Sequence, residues 1–274
     1  MLLVVIGTGL MGGSFALAAR AEGLFDRVLG IDPDPECQRR AVELGIVDAV
    51  VEAVPDDADA ILLAGPSHTI ATWVRRLASH RGLIFDTGSV KGAVLAEMRA
   101  AGAEVPAGFV PCHPLTGSDQ SGPAAANAAL YRDAQVIVTP APETNTAASK
   151  QVETWWRRIG AWVEVMNADE HDRVLARTSH LPHLLAFAYL QVVDDGQLVH
   201  TAGGFRDFTR IGAADARVWA PIFRLNRDAL LHALDDLEAE LGRARRLLEA
   251  DDEQGLADFI ESSARRRRRL GHEP

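Results

Sequence analysis

The first dozen residues constrain the fold of this chain more than any other stretch. The apolar run LLVVI at 2–6 predicts a buried strand, and the hexamer GTGLMG at 7–12 follows it directly and opens an alanine-rich helical stretch. G-x-G-x-x-G is a weak signal by itself, but between a strand and a helix it predicts a dinucleotide-binding turn. The residues that we expect to line this turn are Gly7, Gly9, Leu10, Met11 and Gly12.

Each glycine of the hexamer has its own expected role. Gly7 allows a tight turn, Gly9 lets the backbone approach a pyrophosphate, and Gly12 lets the helix pack close to the strand. The N-terminus of that helix would present free N–H groups and a partial positive charge to the phosphates.

The ends of two later apolar runs extend the predicted cofactor site. VLGI at 28–31 leads into Asp32, whose carboxylate can accept hydrogen bonds from the ribose hydroxyls of an adenosine and would repel a 2′-phosphate. We therefore predict NAD as the cofactor in preference to NADP. The run AILLA at 60–64 ends in a turn that we expect to face the cofactor, formed by Gly65, Pro66 and Ser67.

The alternation of apolar runs and helical stretches predicts the fold class. Apolar runs occur at 2–6, 28–31, 60–64, 83–85, 108–110, 135–138 and 161–166. Strands of this kind separated by helices indicate a parallel sheet covered on both faces, the doubly wound, Rossmann-type α/β fold. Helical patterns alone follow, at 168–194, 217–248 and 253–268. The predicted organisation is a dinucleotide-binding domain at 1–166 and an all-α domain at 167–274.

Composition excludes several classes of function. The chain has 274 residues and a net charge of −10, which argues against nucleic-acid binding because that requires a basic face. No run reaches about 18 apolar residues, so we expect no membrane span and a cytoplasmic location. The two cysteines form no C-x-x-C pair, so a thiolate zinc site is not expected.

The sequence allows three different roles for His113. It lies in PCHPLTGSDQSG at 111–122, just after the apolar run at 108–110. It could be a structural histidine, a metal ligand together with His180 and His183, or an acid/base group. A metal is disfavoured because no acidic ligand is fixed beside that histidine pair, and we predict none. A histidine at the end of a strand in a cofactor-binding fold favours the acid/base role.

Five motifs in order give the chain a family resemblance. GTGLMGGS, DTGSVK, HPLTGSDQSG, SHLPH and GFRDFTRI resemble those of the prephenate/arogenate dehydrogenases of tyrosine biosynthesis, and they extend over nearly the whole chain. The resemblance implies a homodimer formed through the C-terminal helices and NAD as cofactor. It also implies oxidative decarboxylation of prephenate to 4-hydroxyphenylpyruvate, of arogenate to tyrosine, or of both.

The resemblance also implies roles for individual residues. His113 matches the histidine that hydrogen-bonds the substrate 4-hydroxyl, and Ser89 matches the serine that helps to orient both. Arg210 matches an arginine that grips a substrate carboxylate, for which its planar fork is suited. His180 and His183 match the two histidines of the SHLPH motif, of which at least one is expected to contact substrate.

Other implications leave alternatives open. Asp119 and Gln120 lie in the stretch that meets the substrate side chain, where a carboxylate would favour the ammonium of arogenate and an amide the keto acid of prephenate. Lys91 is expected either to act electrostatically near cofactor or substrate or to be structural. A dehydrogenase of the β-hydroxyacid type is a second interpretation, weakened by the lack of its catalytic lysine in the helical region. A non-enzymatic NAD-sensing dimer is a third.

Overall fold

The computed structural model of the protein describes residues 1–118 and 120–270. The chain divides into two compact units, Met1–Arg227 and a second that starts at Asp228. A parallel sheet comes first and helices follow, which confirms the predicted fold class.

A six-stranded parallel sheet forms the centre of the first unit, in the strand order β3-β2-β1-β4-β5-β6. Its strands are β1 (Leu2–Ile6), β2 (Arg27–Ile31), β3 (Ala49–Val50), β4 (Ala60–Leu63), β5 (Leu83–Asp86) and β6 (Phe109–Val110). All neighbouring pairs run parallel. Their carboxyl ends therefore share one edge, where ligands of such sheets bind.

Hydrophobic cores lie on both faces of this sheet. Leu3 and Val5 belong to one core and Val4 and Ile6 to the other, because successive side chains of a strand point to opposite faces. This is why β1 reads as an unbroken apolar run and not as an alternating one.

Five helices connect or flank the strands of this part of the chain. They are α1 (Leu10–Ala21), α2 (Pro35–Glu43), α3 (Ser67–Arg76), α4 (Gly92–Ala100) and α5 (Thr146–Arg158). Helices thus alternate with strands over most of this part of the chain, as the sequence predicts.

His113 lies within a strand of a second sheet, which the sequence did not predict. This sheet contains β7 (Cys112–Pro114), β8 (Gln135–Val138) and β9 (Trp162–Val165), with β7 antiparallel to β8 and β8 parallel to β9. Pro111, which separates β6 from β7, has no N–H to donate to a ladder, and its carbonyl accepts a bond from the N–H of Thr139 on the β8 side. The chain therefore changes sheets at this proline.

After β9, the regular elements of the described chain are all helical. They are α6 (Ala168–Leu175), α7 (Leu181–Leu190), α8 (Asp195–Leu198), α9 (Gly203–Thr209), α10 (Ala216–Leu225), α11 (Arg227–Glu249) and α12 (Glu253–Arg269). Most of the helical pattern predicted at 217–248 forms the 23-residue α11. Among the described residues, no helix combines the length and the apolar character needed to cross a membrane.

Two predicted helices are interrupted. A π-helical turn, Ala176–His180, joins α6 to α7, because Pro182 lacks the N–H needed to continue the i→i−4 pattern. The second predicted helix is divided at Asn226, whose side-chain amide donates to the backbone carbonyl of Asp172 at 2.8 Å. Both interruptions occur beside the histidines described below.

Candidate active site

The glycine turn between β1 and α1 has strict steric requirements at two of its three glycines. Gly7 has φ +95°, and a Cβ there would lie 2.7 Å from the backbone of Ala64. A Cβ on Gly12 would lie 2.1 Å from the carbonyl oxygen of Gly7. At Gly9 the nearest atom would be 3.9 Å away. The fold would therefore tolerate a side chain at position 9. Because this position is nevertheless a glycine, the space beside it is open to a ligand.

The start of α1 suits a phosphate group. Its N-cap, Gly9, offers no side chain to the free N–H groups, and the first turn carries no acidic residue. Leu10 and Met11 are half-buried, and the carbonyl of Met11 accepts a 2.7 Å hydrogen bond from the Tyr131 hydroxyl. The helix end is therefore fixed in place and available to an anion.

Asp32 is held against the same turn. One carboxylate oxygen accepts bonds from the backbone N–H of Thr8 at 2.8 Å and from its hydroxyl at 3.1 Å, and the other accepts from the N–H of Asp34 at 3.1 Å. Asp34 has a different task, since it caps α2 by accepting from the N–H of Glu36. The carboxylate that is hydrogen-bonded to the glycine turn is thus that of Asp32.

The turn after β4, at 65–67, lies next to the glycine turn and next to Ser89. A Cβ on Gly7 would lie 2.9 Å from the nitrogen of Gly65. Pro66 precedes α3, and the Ser67 hydroxyl oxygen accepts a 3.2 Å bond from the N–H of Ser89. The fold therefore brings Gly65, Ser67 and Ser89 to one edge of the sheet.

Lys91 forms a buried ion pair. Its ammonium donates to Asp86 and, at 2.7 Å, to the carbonyl of Cys112, and both charged side chains are 1% exposed. Asp86 also accepts from the N–H groups of Gly88 and Cys112, each at 2.9 Å. The structure therefore favours the structural interpretation of Lys91: it fixes the backbone next to His113.

His113 belongs to a row of three buried side chains. Its Nδ1 lies 2.8 Å from Nε2 of His171, and Nδ1 of His171 lies 2.8 Å from a carboxylate oxygen of Asp172. Asp172 in turn accepts from the N–H groups of Lys91 at 2.9 Å and Gly92 at 2.8 Å, at the start of α4. The contact that orients the His113 ring at Nδ1 thus comes from His171.

Burial keeps these imidazoles neutral. The pKa of His113 lies well below its usual 6.5 because desolvation penalises the charged ring, and the neighbouring His171, Lys91 and His180 add to this effect. The pKa of His171 is lowered by the same burial, against the opposing hydrogen bond to Asp172. A neutral ring near pH 7 is what a general base requires.

The two histidines of the SHLPH motif flank one tryptophan. His183 stacks on Trp219 with ring centroids 3.5 Å apart, and His180 meets the same ring edge-on at 6.1 Å. Nδ1 of His180 lies 2.9 Å from the amide nitrogen of Asn226. His180 is buried and His183 half-buried, so only His183 presents substantial surface to a ligand.

Arg210 and Gln120 are both exposed. Arg210 is close enough to His183 to lower its pKa, although burial has the larger effect on that ring. The backbone N–H of Gln120 donates to the Ser118 hydroxyl at 3.1 Å. Asp119 lies outside the described residues. The described part of the chain contains no group of three or more residues placed to hold a metal ion.

Sequence reasoning missed four members of this site: His171, Asp172, Trp219 and Asn226. His171 and Asp172 come just after Asp169 and Glu170, the acidic residues in the first turn of α6, and such a sequence is typical of a solvated helix start. They lie 58 residues or more from His113 in sequence, so no local signal connects them with it.

The parallel sheet, the glycine turn and Asp32 define a dinucleotide-binding α/β protein with a helical region after it. Family models match both parts, "Prephenate dehydrogenase, nucleotide-binding domain" at residues 15–165 and "Prephenate dehydrogenase, dimerization domain" at 167–262. The chain belongs to the prephenate dehydrogenase family.

Individual relatives agree with this placement. A cyclohexadienyl dehydrogenase of Zymomonas mobilis is 33% identical over 97% of this chain and 94% of its own length. The crystal structure of prephenate dehydrogenase from A. aeolicus, in complex with hydroxyphenyl propionate and NAD+, superimposes with a TM-score of 0.90 at 30% identity and covers 98% of both chains. The arogenate dehydrogenase of Synechocystis has a TM-score of 0.84 at 25% identity and covers 98% of this chain and 100% of its own.

Proposed function

We propose that this protein is an NAD-dependent dehydrogenase that oxidatively decarboxylates prephenate, arogenate or both. The observation that carries the proposal is His113, a buried and neutral imidazole whose Nδ1 is engaged by His171. Among the described residues its Nε2 has no hydrogen-bond partner, so that nitrogen can accept a bond from a substrate hydroxyl. A purely NAD-sensing protein has no need of such a group.

His113 would hold the proton of the substrate 4-hydroxyl while hydride leaves C4. The ring carboxylate departs as CO₂, and its bonding electron pair makes the ring aromatic, which drives the reaction forward. The proton then returns to the new phenol oxygen, so none is released overall. Bound NAD+ supplies the hydride acceptor.

Ser89 and Arg210 would complete the substrate site. Ser89 is half-buried and follows β5, so its hydroxyl would meet the same substrate oxygen as His113. Arg210 would grip a carboxylate through its planar guanidinium. His183 would meet the ring or side chain of the substrate, while His180 would be the structural partner of Asn226.

NAD would be held by the glycine turn and by Asp32. The uncapped start of α1 would take the pyrophosphate. Asp32, held by Thr8, would accept from the ribose hydroxyls and repel the 2′-phosphate of NADP. The turn at 65–67 would line the same cofactor.

We propose for this chain the homodimer and the domain division that the two family models describe. The match at 167–262 to a dimerization domain supports a homodimer through the C-terminal helices, and it supports domains at 1–166 and 167–274. Val192 and Val199, at 73% and 79% exposure, supply apolar surface of the kind that a partner would cover. Light scattering coupled to size exclusion should give about twice the monomer mass.

The decisive experiment assays prephenate and arogenate, each with NAD and with NADP. We expect turnover with NAD, and the four specificity constants also measure the substrate preference to which Asp119 and Gln120 would contribute. His113→Asn should lower kcat by roughly 10²–10⁴-fold, the usual contribution of a general base, while NAD binding measured by fluorescence persists. No turnover in any of the four assays would refute the proposal, and an active His113→Asn variant would remove His113 from it.

A further inference from the structure

We propose that His171 and Asp172 are positioning residues that set the tautomer of His113, so that its Nε2 carries a lone pair ready to accept the substrate proton. The inference rests on the proposed function for its consequence in catalysis. The tautomer itself follows from three linked contacts and can be measured without any turnover.

The row begins at Asp172, which can only accept. Its two carboxylate oxygens already accept from the backbone N–H groups of Lys91 and Gly92. One of these oxygens also lies 2.8 Å from Nδ1 of His171. Because a carboxylate has no proton to donate, the hydrogen bond must use a proton on Nδ1 of the imidazole. Asp172 thus defines His171 as the tautomer that is protonated at Nδ1.

The second step transfers this choice to His113. A neutral His171 with its proton on Nδ1 has a bare Nε2, which acts as an acceptor. Nδ1 of His113, 2.8 Å away, must then donate. A neutral His113 that carries its proton on Nδ1 has a bare Nε2, and this is the nitrogen that the described residues leave free. The lowered pKa of both rings agrees with neutral imidazoles around pH 7.

The row is also mechanically fixed, which distinguishes positioning from a casual contact. Asp172 is tied to the first residues of α4, and its backbone carbonyl accepts a 2.8 Å bond from Asn226. His171 is fully buried, so the surrounding residues restrict rotation of its ring. When Nε2 of His113 takes up a proton, the carboxylate of Asp172 lies two hydrogen bonds away and stabilises the imidazolium.

The test combines a direct observation of the tautomer with kinetics. In protein labelled with ¹⁵N-histidine, at pH 7.5, we expect the His113 signals of a protonated Nδ1 and an unprotonated Nε2. His171→Phe keeps a ring of similar size but removes the acceptor, so that tautomer should lose its dominance. We expect kcat to fall by roughly 10–100-fold, less than the roughly 10²–10⁴-fold that a general base itself contributes, with little change in KM or in NAD affinity.

Two further variants separate positioning from a structural role. His171→Gln offers an amide oxygen as acceptor and should recover part of kcat relative to His171→Phe. His80→Phe is the matched control, since the His80 ring is also hydrogen-bonded, to Pro55 and Gly82, but away from this row. It should leave kcat unchanged.

Each outcome decides the matter. A wild-type His113 protonated at Nε2 overturns the inference, and so does a folded His171→Phe variant with wild-type kcat. If His171→Phe does not fold, the wild-type tautomer alone decides. Loss of activity in His113→Asn without loss in His171→Phe would refute this inference and leave the proposed function standing. The predicted tautomer in a protein that turns over neither substrate would refute the proposed function alone.

Discussion

Replacing Lys91 by methionine should destabilise the protein severely, because it removes the partner of a buried charge. Asp86 would retain its two backbone N–H donors, from Gly88 and Cys112, but would lose the ammonium that balances it. The carbonyl of Cys112 would lose its donor as well. The pair is 1% exposed, so water cannot replace the lost partner.

The expected loss is about 3–5 kcal/mol of unfolding free energy, the usual cost of breaking a buried pair from one side. That is a large share of the roughly 5–15 kcal/mol available to a folded protein. Urea unfolding followed by tryptophan fluorescence and far-UV circular dichroism measures it. The double variant Lys91→Met with Asp86→Asn removes both charges and should recover at least about 1 kcal/mol of that loss.

Arg39→Met is the matched control, because it also exchanges a cation for methionine. Arg39 is paired with Glu36 and Glu43 on the surface, where its side chain is 54% exposed, so we expect a loss below about 1 kcal/mol. If Lys91→Met costs no more than Arg39→Met, or if the double variant is no more stable than Lys91→Met, the reasoning about the buried charge is refuted.

Three other predictions concern the cofactor turn and pH. Gly9→Ala should leave the unfolding free energy unchanged but weaken NAD binding in a fluorescence titration, whereas Gly12→Ala should cost about 1–3 kcal/mol because its Cβ would overlap the carbonyl of Gly7. Asp32→Ala should weaken NAD binding and reduce discrimination against NADP, measured as the ratio of the two specificity constants. His180 is buried with its pKa lowered from 6.5 to about 4, so the unfolded chain binds this proton first as pH falls. The contribution of His180 to the unfolding free energy should be complete above pH 6.5 and should fall by about 3 kcal/mol between pH 6.5 and 4. In His180→Asn this part of the pH dependence should be absent.

Contrary results would be informative for each. Normal NAD affinity in Gly9→Ala would show that no ligand approaches that backbone closely. Unchanged cofactor discrimination in Asp32→Ala would remove this carboxylate from the choice of NAD. Equal acid sensitivity in wild type and His180→Asn would show that His180 does not resist protonation in the folded state.

The fold class could be predicted because its signals are local. An unbroken apolar run directly before GTGLMG needs only a few consecutive residues to indicate strand, turn and helix, and the following runs repeat the pattern. The second sheet was missed because β7 has only three residues and includes a proline, too short to show a period. The π-helical turn at 176–180 was missed because helical periodicity continues on both sides of it.

The sequence by itself determined the dinucleotide turn, the carboxylate at position 32, the parallel sheet and the helices that follow, because each depends on neighbouring residues. It also pointed to His113, through strand position and family motifs. Only the tertiary structure decided what surrounds that histidine. His171 approaches it from 58 residues away and Asp172 anchors both to the start of α4, while Lys91 is occupied by Asp86. Contacts of this kind form when separate elements pack together, and no pattern along one stretch of chain predicts them.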